Sequence, residues 1–302
     1  MKLIGMIMGV MVATAPLFAQ THAEKISKTL SFGKLSEANT VIIANINGSV
    51  RVEGYEGSEV RIEVDKTITA KTTERLEKGK QQIQLGTLDL VDTVVLFVDG
   101  TGANFGPRKN RTNNWRGREN YGYDWCCNNC NNGCECRLDF DYRMDFVVKV
   151  PYNVNVVAST VNNGNISVSK ARGIVNADNI NGSIKLTDLM REASASTING
   201  DVDIEYTTNP KKDCRFYSLN GDINAWFQRG LAASMSFESF NGDFYTNINN
   251  LENLPMEVEK ETDSKGVKYK VNGNRYRIGN GGAAMLDFET FNGNVYLKER
   301  TN

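Results

Sequence analysis

Apolar and polar positions recur along this chain in a fixed frame around an Asn-Gly pair. The pair, followed by a small polar residue and then an apolar one, begins at Asn47, Asn163, Asn181, Asn199, Asn220, Asn241 and Asn292. Within the central block the step is 18 to 21 residues, and a final step of 51 leaves room for one more repeat plus an insertion of about thirty. Aligned on Asn, the third position after it reads Val50, Ile166, Ile184, Val202, Ile223, Phe244 and Val295. The fifth reads Val52, Val168, Leu186, Ile204, Ala225, Thr246 and Leu297. Such alternation marks a half-buried strand. The residue just before Asn reads Ile46, Asn162, Ile180, Ile198, Leu219, Phe240 and Phe291. Four before it stand Ile43, Ser159, Ala177, Ala195, Phe216, Phe237 and Phe288.

Asn-Gly between strands is ordinarily a hairpin signal, but here the frame argues for a corner. In a two-residue hairpin the residue before Asn lies opposite the residue after Gly. The former column is apolar, whereas the latter reads Ser49, Asn165, Ser183, Asp201, Asp222, Asp243 and Asn294. A chain that bends at each Asn-Gly and continues around a shared core avoids this conflict. Like residues then stack at ~4.8 Å, burying apolar ladders and aligning the Asn side chains. The expected fold class is all-β, a β-solenoid of single-stacked, β-helix-like coils of 18–21 residues with polar insertions. A meander or sandwich of hairpins is the alternative.

Outside the repeats, Thr40 to Val64 reads as strand, corner, strand, turn and strand, and Ile83 to Val98 returns to strands. Residues 71–82 are charged and suit a short helix or a polar hairpin arm; Asp139 to Val150 alternates, and Glu257 to Arg277 reads as a charged hairpin. Residues 99–137 break the pattern with nine Asn and six Gly, a length that ordinary connections do not reach. The expected organisation is a signal peptide at 1–23, an N-terminal β region at 24–98, an Asn/Arg/Cys-rich insertion at 99–137, and repeats at 138–302 interrupted near 250–280.

The spaced Asn-Gly-(Ser/Asp/Asn)-apolar repeats resemble those of the bacterial "putative adhesin" families of unknown function. So does the run Val41-Ile42-Ile43-Ala44-Asn45-Ile46-Asn47-Gly48-Ser49-Val50 leading into Gly54-Tyr55-Glu56-Gly57-Ser58-Glu59-Val60. The likeness spans about Ile26 to Val98 and Met144 to Leu297. It implies exported β-solenoid domains of the bacterial envelope and brings no catalytic residues with it.

Export is also legible at the N-terminus. Lys2 precedes the apolar run Leu3 to Ala15, and small residues follow at Ala19 and Ala23, either of which suits cleavage, with Ala23 preferred. The run is shorter than the ~20 residues of a membrane-spanning helix, so no transmembrane span is expected in the mature chain. No Cys lies near the cleavage point to carry a lipid anchor. The expected location is the periplasm, the outer surface or the medium. Cleavage after Ala23 removes His22, the one His, and with it His triads, His zinc sites and His bases.

Charge is balanced, 35 Lys+Arg against 36 Asp+Glu, so no global field recruits nucleic acid. With 35 Asn and 5 Pro, the turns are Asn/Gly turns. No cofactor is expected.

Three groups carry candidate chemistry. Cys126, Cys127, Cys130, Cys134 and Cys136 cluster, with Cys214 apart. The Cys127 to Cys130 spacing suits zinc, but export favours oxidised thiols, making all six disulfide candidates and leaving Cys214 the option of a core thiol. Asp201, Asp222 and Asp243 share one column, either as a calcium or catalytic carboxylate ladder or as corner residues accepting backbone N–H groups. The latter is preferred because Ser and Asn interchange there. In the insertion, Arg108, Arg111, Trp115, Arg116, Arg118, Tyr121, Tyr123 and Trp125 combine the residue types of recognition hot spots. The functional expectation is an exported, non-enzymatic, adhesin-like module binding an envelope component, glycan or protein. A carboxylate enzyme on polymeric glycans and a Cys-centred metal or redox sensor are the alternatives.

Overall fold

The computed structural model describes residues 19–34, 36–107, 121–124, 138–255, 258–263, 266–271 and 274–300. The protein is all-β apart from one helix, Thr73–Gln82, among the described residues. Among the described residues two large mixed sheets, of ten and eleven strands, face one another across a hydrophobic core, and neither closes on itself. Among the described residues, the strands on either side of each Asn-Gly of the frame do not pair as a hairpin. Val175–Asp178 lies in the eleven-stranded sheet and Ile184–Leu189 in the ten-stranded one, and the other repeats divide in the same way.

Corresponding strands of different repeats pair in parallel with like residues opposed. In the ten-stranded sheet Val50 opposes Ile166, Ile166 opposes Ile184, Ile184 opposes Val202, and Val202 opposes Ile223. In the eleven-stranded sheet Ile43 opposes Ala158, Ala158 opposes Ala177, Ala177 opposes Ala195, and Ala195 opposes Phe216. This last register changes the reading of one repeat. Ala158, not Ser159, holds the inward position, and Asn162, not Asn163, aligns with Asn47 and Asn181. Asn163 is an extra residue accommodated at φ 58°, a left-handed conformation that Asn tolerates. The polar outliers in two columns therefore come from a one-residue bulge.

Each corner is tied to the next by side chains in fixed columns. Asn181 Nδ2 donates to Asn162 Oδ1 at 2.8 Å, Asn199 to Asn181 at 2.8 Å, Asn220 to Asn199 at 3.0 Å, Asn292 to Asn220 at 2.8 Å and Asn241 to Asn292 at 2.9 Å. Two residues upstream, a hydroxyl covers the glycine carbonyl of the neighbouring repeat: Thr160 on Gly48 and Thr197 on Gly182 at 2.8 Å, Ser218 on Gly200 at 2.9 Å. The repeats approach so closely here that a Cβ on Gly200 would stand 2.4 Å from the Gly182 carbonyl oxygen.

The column just before Asn does not join the core. It sits at the corner, outside the space between the sheets. Ile46 is buried because Tyr123 covers it, with Phe97 and Phe105 packed alongside, whereas Ile180, Ile198, Phe291 and Phe240 are exposed.

Stack order departs from chain order at the far end. Cys214–Asn220 pairs with Met285–Asn292, and only then comes Ala233–Asn241; likewise Ile223–Phe227 pairs with Val295–Glu299, then Phe244–Thr246. The last repeat of the chain is thus interior. Its Val295 and Leu297 are fully buried, while Phe244 is half-buried and Thr246 exposed, as suits the end position. Leu251–Asn253 and Asn274–Ile278 complete this edge of the eleven-stranded sheet in antiparallel fashion. Val258–Asp263 and Gly266–Val271 form a separate hairpin.

At the other end the antiparallel strands Gln20–Ser31, Glu59–Ala70 and Asp141–Pro151 extend the ten-stranded sheet. Thr72 caps the helix, its Oγ1 accepting from Arg75 N at 3.4 Å. Beneath the helix C-terminus Lys66 is buried, its Nζ donating to the Lys80 carbonyl at 2.9 Å and lying 3.3 Å from Glu24. The charge faces a helix end whose carbonyls favour a cation.

Candidate binding surface

Strand alternation decides what the ten-stranded sheet shows to solvent. In Val202–Tyr206 and Ile223–Phe227 every second residue is buried, so Asp203, Glu205, Asn224 and Trp226 lie on the outer face. The neighbouring strand Ile184–Leu189 adds Lys185 and Thr187, and Arg300 arrives from the chain end, its N–H bonded to the Phe227 carbonyl at 3.0 Å. Lys185, Thr187, Asp203, Glu205, Trp226 and Arg300 line a cleft of about 320 Å³, with Asn224 beside it. Its polar groups are already oriented. Asn224 Nδ2 donates to Asp203 Oδ1 at 2.9 Å, and Arg300 pairs with Glu205.

Aromatic residues continue from the cleft toward the end of the stack. Lys298 Nζ lies 6.0 Å from the Trp226 ring centre and 5.4 Å from that of Tyr296. Tyr296 and Tyr245 stack at 5.1 Å, with Asn294 donating to the Tyr296 hydroxyl at 3.3 Å. The Asp243 carboxylate beside Tyr245 accepts from its hydroxyl at 3.3 Å and raises its pKa. Around the corner, Phe240 and Phe291 stack at 4.8 Å and 3°, with Phe240 74% exposed. Ile198 and Ile180 continue that exposed stripe.

The aspartate column has a structural role. Asp201 Oδ1 accepts from Asp222 N at 2.9 Å, and Asp222 Oδ1 accepts from Asn294 N at 2.7 Å. Asp243 is not adjacent to Asp222, because Asn294 stands between them and accepts from Asp243 N at 3.0 Å. No three His, Cys, Asp or Glu residues among those described group to hold a metal ion.

Of the insertion residues singled out from sequence, Arg108, Arg111, Trp115, Arg116, Arg118 and Trp125 lie outside the described residues, as do Cys126, Cys127, Cys130, Cys134 and Cys136. Tyr121 and Tyr123 belong to strand Tyr121–Asp124, antiparallel to Asn104–Pro107. Tyr123 is an anchor rather than an exposed platform. Its ring is buried against Phe105, its hydroxyl accepts from Val98 N at 2.7 Å, and it lies 3.0 and 2.9 Å from the Ala44 and Val98 carbonyls. Burial pushes that hydroxyl's pKa well up. Tyr121 is half-buried and stacks on Phe105 at 6.1 Å.

Among the described residues Cys214 is a free, buried thiol 3.2 Å from the Tyr206 hydroxyl, in the core position that the sequence left open to it. Burial raises its pKa.

Sequence reasoning passed over the Trp226 cleft because its residues come from three strands and the chain end. The available signal was the alternation, which places Asp203, Glu205 and Trp226 on the polar face. Fold and face together define an all-β protein with an ordered aromatic outer surface. No described helix is long and apolar enough to cross a membrane. No family model matches the sequence, and no curated protein does. Among solved structures the chain is similar to a "putative cell adhesion protein" from Clostridium sporogenes, at 10% identity over 92% of this chain and 100% of that one, TM-score 0.41. It is also similar to a "putative adhesin" from Bacteroides fragilis, at 10% identity over 92% and 97%, TM-score 0.34. A third is a "putative lipid binding protein" from Parabacteroides distasonis, at 10% identity over 92% and 97%, TM-score 0.28.

Proposed function

We propose that this chain is an exported, non-enzymatic β-solenoid of the cell envelope that binds a surface component, glycan or protein. The observation that carries the reading is a pair of aromatic surfaces on hydrogen-bonded ladders, the exposed Phe240 with Phe291, and the half-buried Trp226 and Tyr296 with the exposed Tyr245. Large apolar groups exposed on a rigid scaffold are characteristic of interaction sites. The parallel like-on-like registers support the solenoid, with the antiparallel strands as additions at its ends. The reading as a non-enzyme is supported by the engagement of Asp201 and Asp222 with backbone N–H groups. The insertion residues Arg108 to Trp125, Tyr123 excepted, are proposed as a second contact, held to the body through Tyr123.

Export follows from the N-terminal signal. The strand Gln20–Ser31 pairs from Gln20 opposite Ala70 onward, which supports cleavage after Ala19 rather than Ala23, since the later cut would remove four paired residues. The test is capture of envelope components by the intact chain, by one lacking residues 108–120, and by Phe240→Ser/Phe291→Ser. Capture by the intact chain above that of an unrelated exported protein, reduced in at least one variant, is expected. Equal capture by all of them would refute the reading.

A further inference from the structure

We propose that the cleft beside Trp226 binds a neutral saccharide unit, stacked on the indole and hydrogen-bonded by Asp203, Glu205, Lys185 and Arg300. The proposal rests on the surface-binding reading above and names the chemistry of one of its surfaces.

Shape is the first argument. The cleft spans three adjacent parallel strands, with Lys185 opposite Asp203 and Glu205 opposite Trp226. Asp203 and Glu205 on the middle strand form the floor; Trp226 is one wall, and Lys185 with Thr187 is the other. The walls are two strand spacings apart, roughly 9.6 Å, and Asp203 and Glu205 project between them from the same outer face. The volume, about 320 Å³, falls at the small end of ligand pockets and suits one or two sugar residues.

The second argument is the disposition of the indole. Lys298 approaches the ring from the Val295–Glu299 strand, on the side away from the cleft. The side toward Glu205 borders the cleft. A pyranose presents a patch of C–H groups on one face and hydroxyls around its rim. An aromatic wall beside a polar floor matches both.

Charge provides the third. Lys185 and Arg300 balance Asp203 and Glu205, so the cleft selects neither an anion nor a cation. It offers donors and acceptors side by side, as hydroxyl groups require. Asp203 is held by Asn224 and Glu205 by Arg300, while each carboxylate keeps lone pairs for a ligand. Groups fixed before binding lose little entropy on binding. A lipid chain would need apolar walls, and a phosphate or sulfate would need surplus positive charge.

The test is titration of the full chain with maltose, cellobiose, lactose and N,N′-diacetylchitobiose, followed by calorimetry and tryptophan fluorescence, with glucose 6-phosphate as the charged probe. At least one neutral disaccharide should bind. Trp226→Ala should weaken it about tenfold or more, a loss of about 1.4 kcal/mol. Trp226→Phe should retain most of the affinity. Thr187→Tyr, which fills the slot from the opposite wall on the solvent face, should abolish binding with the melting temperature unchanged. The proposal is overturned if both Trp226→Ala and Thr187→Tyr bind like wild type, if glucose 6-phosphate alone binds, or if no disaccharide of the set binds. Envelope capture that persists alongside such a failure leaves the surface-binding reading standing. Saccharide binding without envelope capture removes that reading and keeps the cleft.

Discussion

Replacing Gly200 with Ala tests the packing of the corners. The new Cβ would lie 2.4 Å from the Gly182 carbonyl oxygen, 2.5 Å from its carbon and 2.8 Å from Ser183 N. All three atoms are backbone of the adjoining repeat, so no flexible side chain can yield. Restoring a normal carbon–oxygen contact requires the two corners to part by about 0.8 Å. Three hydrogen bonds cross that gap at 2.8 Å: Gly182 N to the Asn199 carbonyl, Thr197 Oγ1 to the Gly182 carbonyl, and Asn199 Nδ2 to Asn181 Oδ1. Opening to about 3.6 Å takes all of them beyond hydrogen-bonding distance. At about 1 kcal/mol net for each, the variant should lose ~2–4 kcal/mol. At about 3 °C per kcal/mol the melting temperature should fall by roughly 6–12 °C. Thermal melts followed by circular dichroism measure this, with Gly33→Ala as control, since a Cβ there meets nothing within 4 Å. A Gly200→Ala protein that melts with wild type would refute the corner geometry.

Asn181 is not among the residues with positive φ, so Val meets no backbone strain there. Asn181→Val and Asn181→Ala should each lose ~1–2 kcal/mol in urea unfolding, because both break the same two ladder bonds; a much larger loss for Val would contradict this. Excising residues 108–120 with a short Gly/Ser linker should leave the melt nearly unchanged. Tyr123→Phe should lose ~1–3 kcal/mol by stripping the buried Val98 N–H of its acceptor, and the reverse ranking would put the anchor elsewhere. Asp145 is partly desolvated, which raises its pKa, but Arg143 and the hydroxyl and N–H of Ser49 outweigh this and hold it below the usual range. A depressed folded-state pKa contributes stability that is present above the unfolded value near 3.9 and lost as pH falls through the folded one. Asp145→Asn should therefore be less stable than wild type at pH 7, and the gap should close as pH falls below the unfolded value and through the folded one; a gap that stays constant on acidification would rule the linkage out.

Much of the architecture was legible because its information is local and repeated. The alternation at Val202, Ile204, Ile223 and Ala225 states which face of each strand is buried, and the mismatch across Asn-Gly excludes hairpins without reference to distant residues. The charged run at 71–82 suits a helix or a hairpin arm alike, and in the fold it is the helix Thr73–Gln82, capped by Thr72. Where the sequence frame slipped, at Ser159 and Asn162, one extra residue had been absorbed by Asn163, and only the pairing register shows which residue is the extra one.

The candidate site is the opposite case. Glu205, Trp226 and Arg300 are far apart in the chain and meet because parallel pairing sets strands from successive repeats one spacing apart. Nothing in their spacing announces that meeting. Likewise, repetition leads one to expect Asp222 beside Asp243, but the final strands enter between them, because Val295 and Leu297 fill an interior position better than Phe244 and Thr246 do. The column before each Asn reads as core by composition alone. Its burial depends on a cover that comes from elsewhere, and Tyr123 supplies one to Ile46 while Ile180, Ile198, Phe291 and Phe240 stay exposed. Residue type and period determine which way a side chain points; what stands opposite it is decided by long-range pairing, through contacts that no local pattern encodes.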